Sequence, residues 1–92
     1  MTSRERVKAA LNHRQPDRVP VDFGSTIVTG MHVSVVSRLR KAFGLGDDPV
    51  KVIEPFQMLG EIDGALREKL GVDFAPLLHS QTVFGFDNCN WK

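Results

Sequence analysis

Three stretches of the chain carry apolar residues at the spacing of an amphipathic helix. The first covers about residues 3–13, and Thr2 and Glu5 have the spacing of a capping box at its start. The second runs through "HVSVVSRLRKAFG", residues 32–44, and the third covers about residues 55–70. The pattern therefore predicts three helices.

Small polar residues and glycines mark the ends of these helices. We expect Thr29 or Gly30 to cap the second helix, because short polar residues and glycine suit that position. Gly44 and Gly71 follow the last apolar positions of the second and third helices, where glycine commonly ends a helix.

Other stretches have the pattern of strands. "RVPVDF" alternates apolar and polar residues and predicts a strand over residues 19–23. "VKVI" (50–53) predicts a short extended piece, "GVDFAPLL" (71–78) a second strand, and "TVFGFDNCNW" (82–91) a third extended segment. Strands separated by helices favour a parallel, right-handed βα arrangement, so the predicted fold class is α/β.

Composition indicates an ordinary globular chain and excludes several classes of partner. Of the 92 residues 41% are hydrophobic and 25% are charged, which is typical of a single small domain. The net charge of +1 gives no general attraction to nucleic acid or to a membrane surface. The charged N-terminus lacks the apolar core of a signal peptide, so we expect a cytoplasmic protein. Cys89 is the only cysteine and allows no intrachain disulfide.

The loop over residues 24–30 is the first candidate binding site. It follows a predicted strand and precedes a helix, and ligands of α/β proteins bind at the carboxyl ends of strands. Ser25, Thr26 and Thr29 supply hydroxyl groups and backbone donors there. Two interpretations remain open: these groups bind a substrate, or they satisfy the backbone of their own loop and cap the next helix.

Two runs of sequence resemble a known family. "SRERVKAALNHRQPDRVPVDFG", followed by a helix and then by "LREKLGVDFAPL", resembles the N-terminal part of the uroporphyrinogen decarboxylase superfamily. That superfamily includes the decarboxylases and the cobamide-dependent methyltransferases, which move methyl groups between corrinoid proteins and thiols. The resemblance implies a (β/α)8 TIM-type barrel. Residues 1–92 would form its first βα units, as one incomplete domain.

The sequence departs from the decarboxylases in two places. After "RVPV" these enzymes carry an arginine-rich signature for the substrate's carboxylates, but here no Arg or Lys occurs between Arg18 and Arg38. They also place an essential Asp shortly after "GVD", whereas no acid occurs here between Asp73 and Asp87. The resemblance therefore favours the methyltransferase-like branch, with uroporphyrinogen decarboxylation as the alternative.

The resemblance also implies residues, cofactors and partners. Gln57 and His79 would reach the same pocket as the loop hydroxyl groups and bind a small-molecule substrate. In the methyltransferase branch His and Cys residues far downstream bind zinc, so we assign no metal ligand, no cofactor and no catalytic residue in this segment. For a full-length member, zinc and a corrinoid protein are the implied cofactor and partner.

A non-catalytic reading remains open beside the enzymatic ones. The chain would then be a free-standing α/β module for binding or assembly, or a truncated product without an independent role. The segment "TVFGFDNCNW" is apolar with few charges, which favours incompleteness or self-association through exposed strand edges.

Overall fold

The computed structural model describes residues 1–77. Their elements follow the order α1 (Ser3–Leu11), α2 (Val33–Ala42), β1 (Val52–Glu54), β2 (Leu59–Gly60) and α3 (Gly64–Leu70). Among residues 1–77 there are thus three helices and a two-stranded antiparallel sheet. The predicted barrel, of which these residues would be the start, stays a prediction.

Helix α1 has the predicted capping box at its start. Thr2 Oγ1 accepts a hydrogen bond from the Glu5 amide at 3.2 Å, and the Glu5 carboxylate accepts one from the Thr2 amide at 3.1 Å. The helix ends at Leu11, and His13 then adopts a left-handed φ of 57°. The predicted helix over residues 3–13 is confirmed, with an end two residues earlier.

Helix α2 lies where predicted, but its predicted cap is wrong. His32 caps the helix, and its Nδ1 accepts a hydrogen bond from the Ser34 amide at 3.1 Å. Thr29 cannot serve because its hydroxyl is bonded to Thr26 and because residues 31–33 first run alongside β2. Gly44 follows the last turn as predicted, with φ 71°.

The hairpin β1–β2 corrects two predictions. Residues 50–53 were predicted to be extended, and the strand observed is Val52–Glu54, paired antiparallel with Leu59–Gly60. The predicted helix over residues 55–70 is wrong in its first half, because the Glu54 carboxylate accepts hydrogen bonds from the amides of Phe56 and Gln57 and holds a turn there. Only Gly64–Leu70 is helical, and Gly71 ends it with φ 68° as predicted.

The predicted strands 19–23 and 71–78 are not strands in the described residues. The two segments instead lie side by side at one point, where the Asp73 amide donates to the Val21 carbonyl at 2.8 Å. No ladder forms, because the Val21 amide is bonded to the Asp73 side chain and Pro20 has no amide hydrogen. The antiparallel pairing of β1 with β2 is a hairpin that the sequence pattern did not predict. Residue 78 and the predicted segment 82–91 lie outside the described residues.

The core lies between α2 and α3. Val36, Ile62 and Leu66 are buried at its centre. Partly buried apolar residues pack around them: Met31, Leu39, Leu45, Val50 and Leu70. None of the helices in residues 1–77 has the length and apolar character that a bilayer crossing requires.

Candidate functional site

The candidate loop, residues 24–30, is held by its own threonines. The Thr26 hydroxyl lies 3.2 Å from the Val28 amide and 3.3 Å from the Thr29 amide, and it accepts a hydrogen bond from both. The Thr29 hydroxyl accepts from the Thr26 amide at 3.2 Å. The two hydroxyl groups therefore fix the loop's shape, and a ligand could reach them only by sharing them with these amides.

Ser25 is bonded in a similar way to Asp22, in the segment that precedes the loop. The Asp22 carboxylate accepts hydrogen bonds from both the amide and the hydroxyl of Ser25, the first at 3.1 Å. Asp22 and Ser25 are both half-buried. The pair stabilises the turn out of residues 19–23, which is the common use of Asp before a loop.

The first residue of the loop, Gly24, packs against the core. Gly24 has a left-handed φ of 89°, and a Cβ built on it would lie 2.9 Å from Ile62 Cδ1. Its backbone amide also donates to the Thr29 carbonyl at 2.9 Å, which closes the loop. At the opposite end of the loop Val28 is 89% exposed, so the loop presents an apolar tip to solvent.

Gln57 lies in the turn between β1 and β2. Its amide donates to the buried Glu54 carboxylate at 2.6 Å, and the residue itself is exposed. Backbone hydrogen bonds join this hairpin to the segment after the candidate loop, from Val33 to Met58 at 2.8 Å and from Gly60 to Met31 at 2.9 Å. The structure thus connects the hairpin that carries Gln57 to the loop that carries Ser25, Thr26 and Thr29. His79 lies outside the described residues.

An ionic cluster around Asp73 is the most extensively bonded group in the described part of the chain. The Asp73 side chain has no exposed surface. Its carboxylate accepts hydrogen bonds from Ser3 Oγ at 2.8 Å, Arg6 Nη1 at 2.5 Å, Arg18 Nη1 at 2.8 Å and the Val21 amide at 2.9 Å. One carboxylate therefore joins α1, residues 18–21 and the segment after α3.

Asp17 extends this cluster. Its carboxylate receives two hydrogen bonds from the Arg6 guanidinium, at 2.7 and 3.0 Å. The bond from Arg6 lowers the pKa of Asp17 to about 2. Burial alone would raise the pKa of Asp73, but the hydrogen bonds from the Val21 amide, Ser3 and the two arginines outweigh it and hold that pKa well below its usual value.

Sequence reasoning did not find this cluster, although one signal for it exists. Asp73 lies within an otherwise apolar stretch that was predicted to be a strand, and a carboxylate buried there requires cationic or hydrogen-bonding partners. Arg6 and Arg18 were the available partners. Arg6 and Arg18 each donate four of their five donor hydrogens to protein acceptors, so neither has a pair of free donors for a ligand beside the loop.

The described residues give no metal site. Within residues 1–77, no three side chains of His, Cys, Asp or Glu lie close enough together to hold an ion. His79 and Cys89 lie outside that range.

Comparison with known proteins adds no assignment. No protein-family model matches the sequence, and no similarity to a curated protein or to a solved structure reaches significance. The candidate site therefore rests on its own residues.

Proposed function

We propose that this chain is the N-terminal part of a barrel enzyme of the uroporphyrinogen decarboxylase superfamily, with methyl transfer between a corrinoid and a thiol as its chemistry. The observation that carries the choice of branch is the lack of cations within the candidate loop itself and the pairing of the arginine that precedes it. Residues 24–30 contain no Arg or Lys, and Arg18, the nearest arginine before them, is paired with Asp73. A substrate with many carboxylates needs such cations, because Arg forks bind carboxylates in a bidentate manner.

The ionic cluster supports the assignment to the superfamily. Its members Ser3, Arg6, Asp17 and Arg18 all belong to the first run of sequence that resembles the family, and Asp73 belongs to the second. Residues that carry the resemblance thus meet in space although the two runs are far apart in the chain. A shared structural role for these residues gives a physical reason for both runs to occur together.

In this proposal the substrate lies over the candidate loop. Ser25, Thr26 and Thr29 would contact it through their backbone and shared hydroxyl groups, with Gln57 and His79 beside them. Zinc and a corrinoid protein would complete the site in a full-length member, with ligands that this segment does not supply. The residues described here would shape the pocket and exclude polyanionic substrates.

The first experiment compares two families of ligand. The protein is expressed from its native locus, its intact mass is measured, and its binding of methylcobalamin and of uroporphyrin is followed by calorimetry. Methyl transfer from the methylated corrinoid to a thiol and turnover of uroporphyrinogen are assayed in parallel. We expect corrinoid binding and thiol methylation; tight, salt-dependent binding of uroporphyrin would instead support the decarboxylase.

A charge variant makes this comparison specific to the loop. Val28→Arg adds a cation at the exposed tip, where it disturbs none of the loop's side-chain hydrogen bonds. Val19→Arg is the matched control, because Val19 is also highly exposed, at 78%, but precedes the loop. We expect the first variant alone to gain affinity for uroporphyrin; equal gains in both variants would mean that the loop is not the ligand site.

A non-catalytic assembly module is a second candidate, and exposed apolar side chains favour it. Val19, Val28, Phe56 and Leu77 are each more than two-thirds exposed. Such residues are common at surfaces that bind another chain. Sedimentation of the purified chain tests this reading: concentration-dependent dimers without any corrinoid binding would favour the module, and a clean monomer that binds no hydrophobic dye would oppose it.

A further inference from the structure

A cavity of about 310 Å³ opens between α2, the segment leading into β1 and the segment that joins β2 to α3. Its charged lining residues carry both signs: Arg40, Asp48, Lys51, Glu61 and Asp63. None of them belongs to the candidate loop or to the ionic cluster around Asp73. The volume lies at the lower end of the range for small-molecule sites, about 300–1,000 Å³.

Two hydrogen bonds hold the Arg40 side chain in place at this cavity. Its side chain is only 15% exposed. Nη1 donates to Asp63 Oδ2 at 2.5 Å, and Nη2 donates to the Leu45 carbonyl at 2.9 Å. A guanidinium has five donor hydrogens, and these two bonds use only two of them, so Arg40 retains donors for a ligand carboxylate although it is also paired with Asp63.

The three charged groups of the cavity outside the Arg40–Asp63 pair have no ionic partner in residues 1–77. Lys51, Asp48 and Glu61 form no ion pair there. Lys51 and Glu61 are nevertheless neighbours, since the Glu61 amide donates to the Lys51 carbonyl at 2.8 Å. Within the described part of the chain, the cavity therefore offers one ammonium and two carboxylates without an ionic partner, beside the Arg40 guanidinium.

We propose that this cavity binds a small zwitterion, a molecule with an ammonium and a carboxylate a few atoms apart, of the class of free amino acids. The carboxylate of the ligand is bound by Arg40 and Lys51, and its ammonium is bound by Asp48 and Glu61. A ligand with a single charge leaves one sign of the lining unmatched, so both charges are required. This site is independent of the methyl-transfer proposal.

The test compares one zwitterion with its two halves. L-Alanine, propionate and ethylamine are titrated into the full chain while backbone amide shifts are recorded by NMR. For so small a ligand we expect L-alanine to bind with a dissociation constant of about 1 mM and to shift amides near residues 48–51 and 61–63. Propionate and ethylamine should each bind at least about tenfold more weakly, because each lacks one charged hydrogen-bonding group. Equal binding of the three probes, or no saturable shift with L-alanine, would overturn the proposal.

Variants that each neutralise one charged residue of the lining test where L-alanine binds. Lys51→Gln and Glu61→Gln should each weaken L-alanine binding by about tenfold or more, as expected for the loss of a charged hydrogen bond. Lys69→Gln and Glu68→Gln, on exposed positions of α3 outside the cavity, are the matched controls and should bind as the original chain does. Equal weakening in controls and test variants would contradict the site. Val28→Arg should leave L-alanine binding unchanged, so a failure of the loop proposal remains distinguishable from a failure of this one.

Discussion

Replacing Asp73 by Asn tests the central role of its carboxylate. The substitution conserves shape but removes the charge that faces Arg6 and Arg18. It also replaces one acceptor oxygen by a donor nitrogen, which then faces the N–H donors of the arginines or of the Val21 amide and cannot bond to them. Both arginines remain in place, and Arg18 loses its ionic partner.

The expected loss of stability follows from the burial of this carboxylate. Removing one partner of a buried ion pair costs about 3–5 kcal/mol, and a hydrogen bond to a charged group contributes about 1.5–3 kcal/mol. Asn keeps one acceptor and Arg6 keeps Asp17, so we expect Asp73→Asn to lower the free energy of unfolding by about 2–4 kcal/mol. For a domain of this size the melting temperature should fall by roughly 10–30 °C.

Thermal and urea unfolding followed by circular dichroism measures this loss. Asp47→Asn is the matched control, because Asp47 is 81% exposed and its only ion pair within residues 1–77, to Lys41, is 3.7 Å long. Such a surface pair contributes about 0–1 kcal/mol, so the control should change little. If the two variants lose the same stability, the Asp73 cluster does not hold these three segments together.

Three further predictions concern acid stability and the backbone. The pKa of Asp17, about 2, and that of Asp73 are both below their unfolded values near about 3.9, so their contribution to stability is complete above about pH 5 and is lost as the pH falls toward 2. Urea midpoints across this range should therefore drop for the original chain and drop less for Asp73→Asn; parallel curves would exclude Asp73 as a cause of the acid dependence. His13→Gly should raise the free energy of unfolding by about 0.4–1 kcal/mol, because φ is 57° at this helix end and glycine adopts it without strain; an unchanged urea midpoint would contradict this. Gly60→Ala should cost about 1–3 kcal/mol, since the new Cβ would lie 3.0 Å from the α2 backbone, whereas a Cβ at Gly64 would meet only the end of the Arg67 side chain at 3.8 Å, an ordinary contact, so Gly64→Ala should be neutral or stabilising; equal effects in thermal unfolding would refute the close approach.

Local patterns predicted the elements whose causes are local. Thr2 and Glu5 form the capping box of α1, and Gly71 ends α3, because each of these features depends only on residues within one or two turns. The segment 55–63 was predicted wrongly because Leu59 and Ile62 are buried as a helical pattern requires, but Leu59 lies in β2 and Ile62 in the segment between β2 and α3. The spacing of these apolar residues predicts that they are buried, but it does not specify the backbone conformation in which they are buried.

Other features depend on contacts that no local pattern contains. The Glu54 carboxylate decides the turn after β1 through two backbone amides, and a buried acid at that position gives no periodic signal. The bond from Arg6 to Asp73 joins residues 67 positions apart. For the candidate loop, the sequence shows which residues carry hydroxyl groups. Whether Thr26 and Thr29 bond to the backbone of their own loop or to a ligand is decided by the loop's geometry.

The position of Asp73 in the chain has a consequence for the order of folding during synthesis. The contact between Val33 and Met58 closes a segment of 25 residues, and that between Arg6 and Asp73 closes one of 67. Closing the longer segment costs about 0.9 kcal/mol more in chain entropy, and it cannot begin until residue 73 has left the ribosome. Helix α1 is synthesised before α2 and α3, but it is therefore the last of the three to form its contacts with the rest of residues 1–77. Until then Arg6 can pair only with Asp17, and the N-terminal helix is open to chaperones and proteases for nearly the whole time that residues 1–77 take to emerge.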